Sequence, residues 1–196
     1  MTSPADGFRR LVSVLDRLGI GYMIGGSLAS SVHGVPRSTN DIDIVADIRP
    51  QQLASWIAEL KSEFYLDPPE AIEQALCAGR MFNLIHLETG YKYDFYPMPS
   101  DPYSQMALSR RREVEYALDA SATLQFYVAS AEDTVLAKLS WYRAGGRVSE
   151  RQWADVLDVI RIQGDRLDLV YLRRWAAALD VGGLLEEAIA GGPGGY

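Results

Sequence analysis

The hydrophobic residues of this chain follow a helical period in some segments and a strand period in others. Between Phe8 and Leu18 they recur every three or four positions, which predicts a helix that ends at Gly19. Residues 22–24 form a short apolar run, and residues 41–44 alternate between polar and apolar. Both segments are therefore predicted as strands.

Prolines and turn residues mark the next elements. Pro50 opens a predicted helix to about residue 60, and Pro68-Pro69 opens another to about residue 78, because proline fits the first turn of a helix. The strands that follow share alternating apolar positions between turn residues, and they are predicted at 82–87, 91–96, 114–118 and 124–128. Residues 88–90 make the first two strands a hairpin.

Only helices are predicted from Ser130 onward. Ser130 with Asp133, and Ser149 with Gln152, have the spacing of a capping box, so a helix is expected to begin at each serine. Two more helices are predicted at 168–179 and 181–190.

This order of elements predicts an α/β fold. We expect a mixed sheet with flanking helices in a domain at 1–129, and a carboxy-terminal helical region at 130–190 packed on it. The glycine-rich tail at 191–196 is expected to be disordered. A chain of 196 residues that is 48% hydrophobic is large enough to bury a core.

The composition limits where the protein works. No stretch reaches the eighteen apolar residues of a membrane span, and the first residues lack the pattern of a secretory signal. We therefore expect a cytoplasmic protein with no membrane partner. Cys77 is the single cysteine, so an internal disulfide is excluded, and two histidines are too few for a structural zinc site. Cys77 is expected to be buried.

The charge limits the partners. A net charge of −7 argues against non-specific binding of DNA, which depends on clustered lysine and arginine. The one basic run, Arg110 to Arg112, is interpreted as a solvated turn between a helix and a strand.

Asp41 and Asp43 are the strongest chemical signal in the chain. In a strand, residues two apart point to the same face, so both carboxylates project together while Ile42 and Ile44 point into the core. Paired carboxylates with substrate phosphates are ligands for Mg²⁺ or Mn²⁺. This spacing predicts a metal site for phosphoryl or nucleotidyl chemistry.

A glycine turn precedes this acid pair. Gly25 and Gly26 follow the 22–24 strand, and Ser27 is expected to cap a short helix that ends at Gly34. Glycines allow close backbone approach, and free N–H groups at a helix start attract anions, so the turn predicts a phosphate-binding site. Taken alone, Gly-Gly-Ser is also typical of an ordinary strand-to-helix turn.

Asp94 is the best candidate for a third carboxylate. It lies in the otherwise aromatic strand at 91–96, where it shares a face with Lys92 and Tyr96, and that strand is placed to run beside Asp41 and Asp43. The alternatives are a solvent-facing Asp94 or a role for Glu88 or Asp101 instead.

Two residues of the carboxy-terminal helices, Lys138 and Asp155, are further candidates for the site. Lys138 is a charge in a mostly apolar helix, where it binds a triphosphate or covers apolar surface with its stem. Asp155 is expected on the solvated side of its helix, paired with Arg151, because the buried side is marked by other residues: Trp153, Val156, Leu157 and Ile160.

These motifs resemble the nucleotidyltransferases of the DNA polymerase β superfamily, which combine a Gly-Gly or Gly-Ser turn, an Asp-x-Asp strand and a later strand acid. The chain is more similar still to small bacterial members related to the abortive-infection nucleotidyltransferase toxins. The shared positions are Gly25, Gly26, Leu28, Ala29, His33, Gly34, Arg37, Thr39, Asp41, Ile42 and Asp43. Glu132 to Lys138 and Asp155 to Asp158 resemble two later toxin motifs, except that Asp133 replaces a lysine and Ala154 an arginine.

The resemblance implies a nucleotidyltransferase-type mixed sheet and an enzyme that moves a nucleoside monophosphate from a nucleoside triphosphate, ATP included, to a hydroxyl. It implies Asp41, Asp43 and Asp94 as catalytic metal ligands, with Asp155 as the alternative third acid of the toxin branch. Nucleotide binding is implied for Gly25, Gly26, Ser27, Arg37 and Lys138. The acceptor, which is an RNA, a protein or a small molecule, and an antitoxin or RNA partner are left open.

Other classes fit the residues less well. A dinucleotide-binding loop would need a third glycine, and a P-loop would need Gly-Lys-Ser/Thr. An antibiotic-modifying nucleotidyltransferase has the same site chemistry and stays an alternative, as does a non-catalytic nucleotide-binding partner module.

Overall fold

The structure is a computed structural model that describes residues 4–119 and 122–191. It contains two compact units. One comprises Met1–Ile24 and Thr39–Val128, and the other comprises Gly25–Ser38 and Ala129–Tyr196. The second unit thus includes a segment from the amino-terminal part of the chain. The division at residue 129, and the packing of the helical region on the sheet domain, stay predictions, and most of the predicted disordered tail lies outside the described residues.

The first unit contains a seven-stranded mixed sheet in the order β3-β4-β5-β2-β1-β7-β6. The strands are β1 (Tyr22–Ile24), β2 (Asp41–Ala46), β3 (Phe64–Leu66), β4 (Phe82–His86), β5 (Lys92–Pro97), β6 (Arg112–Asp119) and β7 (Ala122–Val128). β2 pairs with β5, and β1 with β7, in parallel, whereas the other neighbours are antiparallel. The predicted α/β fold class is confirmed.

The first unit also contains helices, of which the first two pack on the apolar face of the sheet. They are α1 (Pro4–Arg17), α3 (Pro50–Leu60), α4 (Pro69–Cys77) and α5 (Pro102–Arg110). Phe8 of α1 stacks on Tyr93 of β5, and Trp56 of α3 meets Phe95 edge-to-face. Burial of each such side chain contributes about 2–3 kcal/mol.

The alternation in β2 follows from this packing. Ile42 and Ile44 are fully buried, whereas Asp41 and Asp43 are half-buried. A one-residue slip would bring both aspartates into the core and both isoleucines out of it, so the register of β2 is strongly fixed.

The second unit is helical. Its helices are α2 (Gly26–His33), α6 (Ala131–Ala144), α7 (Glu150–Gln163), α8 (Leu169–Ala178) and α9 (Gly182–Ala190), with a 3₁₀ turn at Gly164–Arg166. Ser130 accepts a hydrogen bond from the backbone N–H of Asp133, and Ser149 accepts one from Gln152, so both predicted caps are confirmed. A cap of this kind contributes about 1 kcal/mol.

The absence of a side chain at Gly34 lets the end of α2 pack closely against α7. A Cβ at Gly34 would lie 3.0 Å from the Ser30 carbonyl and 3.1 Å from the backbone nitrogen of Val159 in α7. Next to it, the His33 ring bonds to the Ala129 carbonyl at 2.7 Å, and the Gln163 amide donates to the His33 carbonyl at 2.6 Å. Only glycine permits this close approach of two backbones.

Some expectations were wrong or incomplete. Cys77 is exposed, because it lies at the outward end of α4. The short edge strand β3 and the helix α5 had no prediction. Asp101, a fallback acid, is the N-cap of α5 and accepts from the Ser104 backbone at 3.0 Å. Arg110 ends α5 and Arg112 opens β6, as the interpretation of the basic run required, but Arg110 and Arg111 are half-buried, and Arg111 lies over the Tyr127 ring.

Within the described ranges, no helix is both long enough and apolar enough to cross a membrane.

Candidate active site

One face of the sheet carries three carboxylates. In the parallel pair of β2 and β5, Asp43 lies opposite Asp94 and Asp41 lies opposite Lys92. Asn83 of β4 lies opposite Asp94 on its other side. Directly paired residues of neighbouring strands point to the same face, so the sheet brings the carboxylates together on the side away from Ile42 and Ile44. The predicted placement of the 91–96 strand beside the acid pair is confirmed.

Asp94 is the most buried of the three. Its side chain is 7% exposed, and its Oδ2 pairs with the Lys92 ammonium at 2.7 Å. Its Oδ1 is buried and has no hydrogen-bond partner. Leaving a buried polar atom unpaired costs about 1–3 kcal/mol. Asp94 therefore offers one free carboxylate oxygen that would be stabilised by a cation or by a proton donor.

A short chain of hydrogen bonds orients Asp41. The Thr39 hydroxyl donates to Asp41 Oδ1 at 2.9 Å, and the Tyr91 hydroxyl donates to the Thr39 carbonyl at 3.1 Å. Burial, with the nearby charge of Asp41, raises the pKa of Tyr91, so its hydroxyl keeps its proton. Sequence reasoning missed the role of Tyr91, although Thr39 is part of the motif.

Tyr96 does the same for Asp43. Burial first, and then the charges of Asp43 and Asp94 and a hydrogen bond to Asp43, raise the pKa of Tyr96 to about 12. A protonated phenol donates its hydrogen bond to the Asp43 carboxylate. Asp41 and Asp43 thus each accept a hydrogen bond from a neutral hydroxyl group, Asp41 from Thr39 and Asp43 from Tyr96.

The donor set fits a hard divalent cation by its chemistry. Among the residues that the structure describes, no group of three or more histidine, cysteine, aspartate or glutamate side chains is arranged to hold a metal ion. Asp41, Asp43 and Asp94 on one face are nevertheless an all-oxygen set of the kind that Mg²⁺ or Mn²⁺ takes, and the unpaired Asp94 Oδ1 shows that this set is not internally satisfied. Magnesium sites commonly use one or two carboxylates and complete their shell with water and substrate phosphates.

The second unit contains a separate polar cluster. Asp155 of α7 accepts from Arg37 Nε at 2.9 Å and from Arg37 Nη2 at 2.8 Å, a bidentate pair. Its Oδ2 also accepts from the Lys138 ammonium of α6 at 2.7 Å. Arg37 Nη2 donates to the Ser27 hydroxyl at 2.7 Å. Four predicted site residues, three from the nucleotide-binding set and one rival acid, therefore form one network.

The cluster is largely buried and remains charged. Asp155 is 7% exposed and Lys138 is 8% exposed. Burial alone would raise the pKa of Asp155, but the hydrogen bonds from Arg37 and Lys138 and their charges lower it below its usual range. The carboxylate is thus held ionised by its two cations.

Two expectations about these residues, the Asp155–Arg151 pair and the Ser27 cap, were wrong. Asp155 is buried and pairs with Arg37, not with Arg151, because α7 contacts α2, α6 and α9, and its buried surface is wider than one apolar stripe. The Lys138 side chain is 10% exposed, and its ammonium binds Asp155. Ser27 is not the N-cap of α2; Gly25 holds that position without a side-chain bond, and the Ser27 hydroxyl binds Arg37.

The glycine turn leads directly into the start of α2. Gly26 has φ of 54°, a left-handed conformation that favours glycine, and α2 begins at this residue. The first N–H groups of a helix lack partners within it and attract anions. The remaining fallback acid, Glu88, is exposed in the turn between β4 and β5.

Comparisons with known proteins give structural neighbours only. No protein-family model matches the sequence, and no curated protein matches it. The solved structure of ANT(2″)-Ia in complex with adenylyl-2″-tobramycin matches with a TM-score of 0.53 at 14% identity, over 88% of this chain and 94% of that one. An antigenic nucleotidyltransferase-like protein from Paracoccidioides brasiliensis matches with a TM-score of 0.51 at 18% identity, over 91% and 92%.

The chain has the nucleotidyltransferase fold. At these identities the likeness covers the fold alone, so the nucleotidyltransferase-type sheet implied by the sequence resemblance is confirmed. The relation to the abortive-infection toxins stays a prediction. In this fold, the acid-bearing strands β2 and β5 belong to the sheet of the first unit, and the Arg37–Asp155–Lys138 cluster belongs to the second.

Proposed function

We propose that this protein is a metal-dependent nucleotidyltransferase, which moves a nucleoside monophosphate from a nucleoside triphosphate to a hydroxyl acceptor. The observation that carries the proposal is the register of β2 and β5, which puts Asp43 opposite Asp94 and leaves one buried oxygen of Asp94 unpaired. The nucleotidyltransferase fold supports it independently of the residues.

Asp41, Asp43 and Asp94 are the residues that would hold Mg²⁺ or Mn²⁺. When bound, the metal supplies positive charge to the triphosphate and favours departure of pyrophosphate. Thr39 and Tyr96 hold Asp41 and Asp43 through hydrogen bonds, which fixes the direction of their oxygens.

Asp94 has a second proposed role as the general base. Its free Oδ1 accepts the proton of the acceptor hydroxyl, whose oxygen forms the new bond to the α-phosphorus. The bond from the α-phosphorus to the bridging oxygen breaks, and its electron pair leaves with pyrophosphate. Because Asp94 is buried, its oxygen is shielded from competition by bulk water.

Nucleotide binding is assigned to the second unit's Gly25, Gly26, Ser27, Arg37 and Lys138. Arg37 and Lys138 carry two positive charges against the single charge of Asp155, which leaves an excess that attracts polyphosphate. The backbone N–H groups at the start of α2, at Gly26, carry partial positive charge and also attract polyphosphate.

Asp155 is assigned a positioning role rather than that of the third metal ligand. Both of its oxygens already accept hydrogen bonds from cations, Oδ1 from Arg37 and Oδ2 from Arg37 and Lys138. A divalent metal there would face two positive charges at close range, which Coulomb repulsion disfavours. Asp94 is favoured over Asp155 as the third acid, because its Oδ1 has no partner and its one cationic partner, Lys92, is 41% exposed, whereas Lys138 on Asp155 is 10% exposed.

The acceptor is proposed as a hydroxyl of an RNA, a protein or a small molecule. ANT(2″)-Ia, a neighbour in fold, is solved with an adenylyl-tobramycin product, which keeps the antibiotic-modifying alternative in the test. A toxin-like role with an antitoxin or RNA partner rests on the sequence resemblance. A non-catalytic module is less well supported, since it has no need to keep all three acids on one face.

The test is incubation of the purified protein with each of the four α-labelled ribonucleotides in the presence of Mg²⁺ or Mn²⁺. Total RNA, a protein extract and a panel of aminoglycosides that includes tobramycin serve as acceptors. We expect metal-dependent transfer of label to one acceptor class from at least one nucleotide. Binding of a nucleotide without any transfer would favour the non-catalytic module.

A further inference from the structure

Asp41, Asp43 and Asp94 lie on one face of the sheet, which we call the acid face. Lys92 is a charged residue on this face, and it has no role in the proposed reaction. It lies two residues before Asp94 in β5 and directly opposite Asp41 in β2, so its side chain is on the same face as the three acids. Its ammonium is 2.7 Å from Asp94 Oδ2, which makes a close ion pair.

The charge of Lys92 interacts with the whole acid set. The hydrogen bond to Asp94 raises the pKa of Lys92; burial opposes this, and the charges of Asp94, Asp41 and Asp43 raise the pKa further. The other groups on this face, Tyr96 and Asn83, are neutral. Lys92 is therefore the positive charge that the described side chains of β2, β4 and β5 supply to this face.

The two partners differ in their freedom to move. The Asp94 side chain is 7% exposed, whereas the Lys92 side chain is 41% exposed. A long, half-exposed lysine can turn its ammonium into water by changing rotamers, while the buried aspartate stays in place. The ion pair can therefore open without disturbance of the sheet.

We propose that Lys92 is a built-in counter-ion of the acid face, which occupies Asp94 Oδ2 in the metal-free protein and must leave it when a divalent cation binds. The inference rests on the proposed function, because it takes Asp41, Asp43 and Asp94 as the metal ligands. Because Oδ1 is taken as the base, Oδ2 is the Asp94 oxygen that is left for the metal, and a cation there would be repelled strongly by the ammonium 2.7 Å from that oxygen.

Two consequences follow for the protein. Lys92 offsets carboxylate repulsion when no metal is present, so the acid face is stable without its cation. It also weakens the binding of free metal, since part of the metal's binding energy is used to displace the lysine. Removal of one positive charge at this distance corresponds to a gain of about tenfold or more in metal affinity.

The test is calorimetric titration of Mn²⁺, without nucleotide, into the wild-type protein and three variants. Lys92→Met removes the charge and keeps the apolar stem, and Lys92→Arg keeps the charge. Lys61→Met is the matched control, because Lys61 is exposed at the end of α3. We expect Lys92→Met to bind Mn²⁺ at least about tenfold more tightly, and the other two variants to bind as the wild type does.

Thermal melting shows whether the Lys92→Met variant is folded. In the presence of a chelator, we expect Lys92→Met to melt at a lower temperature than the wild type and to gain more from added Mn²⁺. Adding Asp94→Asn to Lys92→Met is expected to abolish the gain in Mn²⁺ affinity.

Equal or weaker Mn²⁺ binding by folded Lys92→Met would overturn the counter-ion role. If nucleotide transfer by the wild type is metal-dependent in that case, the proposed function stands and the lysine inference alone fails. If neither protein binds Mn²⁺ and no transfer occurs, both fail.

Discussion

Asp43 and Asp94 lie directly opposite each other on two parallel strands, although 51 positions separate them in the sequence. The pairing depends on packing of the opposite face, where Ile44 and Phe95 are buried side by side. The site chemistry is therefore set by the hydrophobic core: the residues that fix the register of β2 and β5 also bring the carboxylates together.

Asp94→Asn and Asp155→Asn are expected to fail in different ways. Asp94→Asn removes a metal ligand and the base, so we expect transfer to fall by at least about a hundredfold with little loss of stability. Asp155→Asn leaves Arg37 and Lys138 without their shared charge, which we expect to cost about 3 kcal/mol of unfolding free energy and to raise KM for the nucleotide.

These two variants are compared side by side by urea denaturation and by steady-state kinetics. A stable but inactive Asp155→Asn, next to an active Asp94→Asn, would move the third acid to Asp155.

The depressed pKa of Asp155 predicts an acid limit to stability. A carboxyl group whose pKa is lower in the folded than in the unfolded state stabilises the fold fully above its unfolded pKa, about 3.9 for aspartate, and progressively less below it. We therefore expect the wild type to lose more unfolding free energy between about pH 5 and pH 3 than Asp155→Asn does. Denaturation curves across this range measure the difference, and parallel losses in both proteins would refute the assignment.

Thr39→Val tests the orientation of Asp41. The variant keeps the shape of the side chain and removes the hydroxyl that donates to Asp41 Oδ1. Loss of a hydrogen bond to a metal ligand typically costs tenfold to a hundredfold, so we expect a drop of about tenfold in Mn²⁺ affinity. Tyr91→Phe, which removes the bond to the Thr39 carbonyl, is expected to have a smaller effect in the same direction. Unchanged affinity in Thr39→Val would mean that Asp41 is not a ligand or needs no orientation.

Gly34→Ala tests the packing of α2 on α7. The new methyl group would meet the backbone of Ser30 and Val159 at 3.0 and 3.1 Å, atoms that cannot turn aside. We expect a loss of about 1–3 kcal/mol in unfolding free energy. Gly183→Ala in α9 is the matched control: nothing lies within 4 Å of its new methyl group, and alanine is the better helix former, so no loss is expected. Thermal melting of both variants separates the two outcomes.

Local sequence patterns were enough to predict several helices and strands of the fold. The period of the apolar residues identified β2, Pro50 gave the start of α3, and the serine caps at Ser130 and Ser149 gave α6 and α7. Each of these depends on residues within one turn or one strand. The helix α5 had such a signal too, since Asp101 precedes Pro102 as a cap precedes a first helical residue, but Asp101 was interpreted only as a possible acid.

The rest depends on contacts between distant segments. The burial of Asp155 requires α2 and α6 to pack around α7, which a helical stripe in α7 alone cannot indicate. The pair of Lys92 with Asp94 is visible as a shared strand face, but its 2.7 Å contact depends on burial of Asp94 between β2 and β4. Sequence patterns locate the chemistry, whereas long-range packing decides which charges meet.

Metal-dependent transfer of α-labelled nucleotide, measured for the wild type, Asp43→Asn and Asp47→Asn, tests whether the β2 carboxylates form the catalytic metal site. Asp47 is the matched control, because it follows β2 and its side chain is 41% exposed beside Arg49. We expect the wild type and Asp47→Asn to transfer label until the metal is chelated, and Asp43→Asn to lose at least about a hundredfold of this activity. Transfer at the wild-type rate by a folded Asp43→Asn would contradict this assignment.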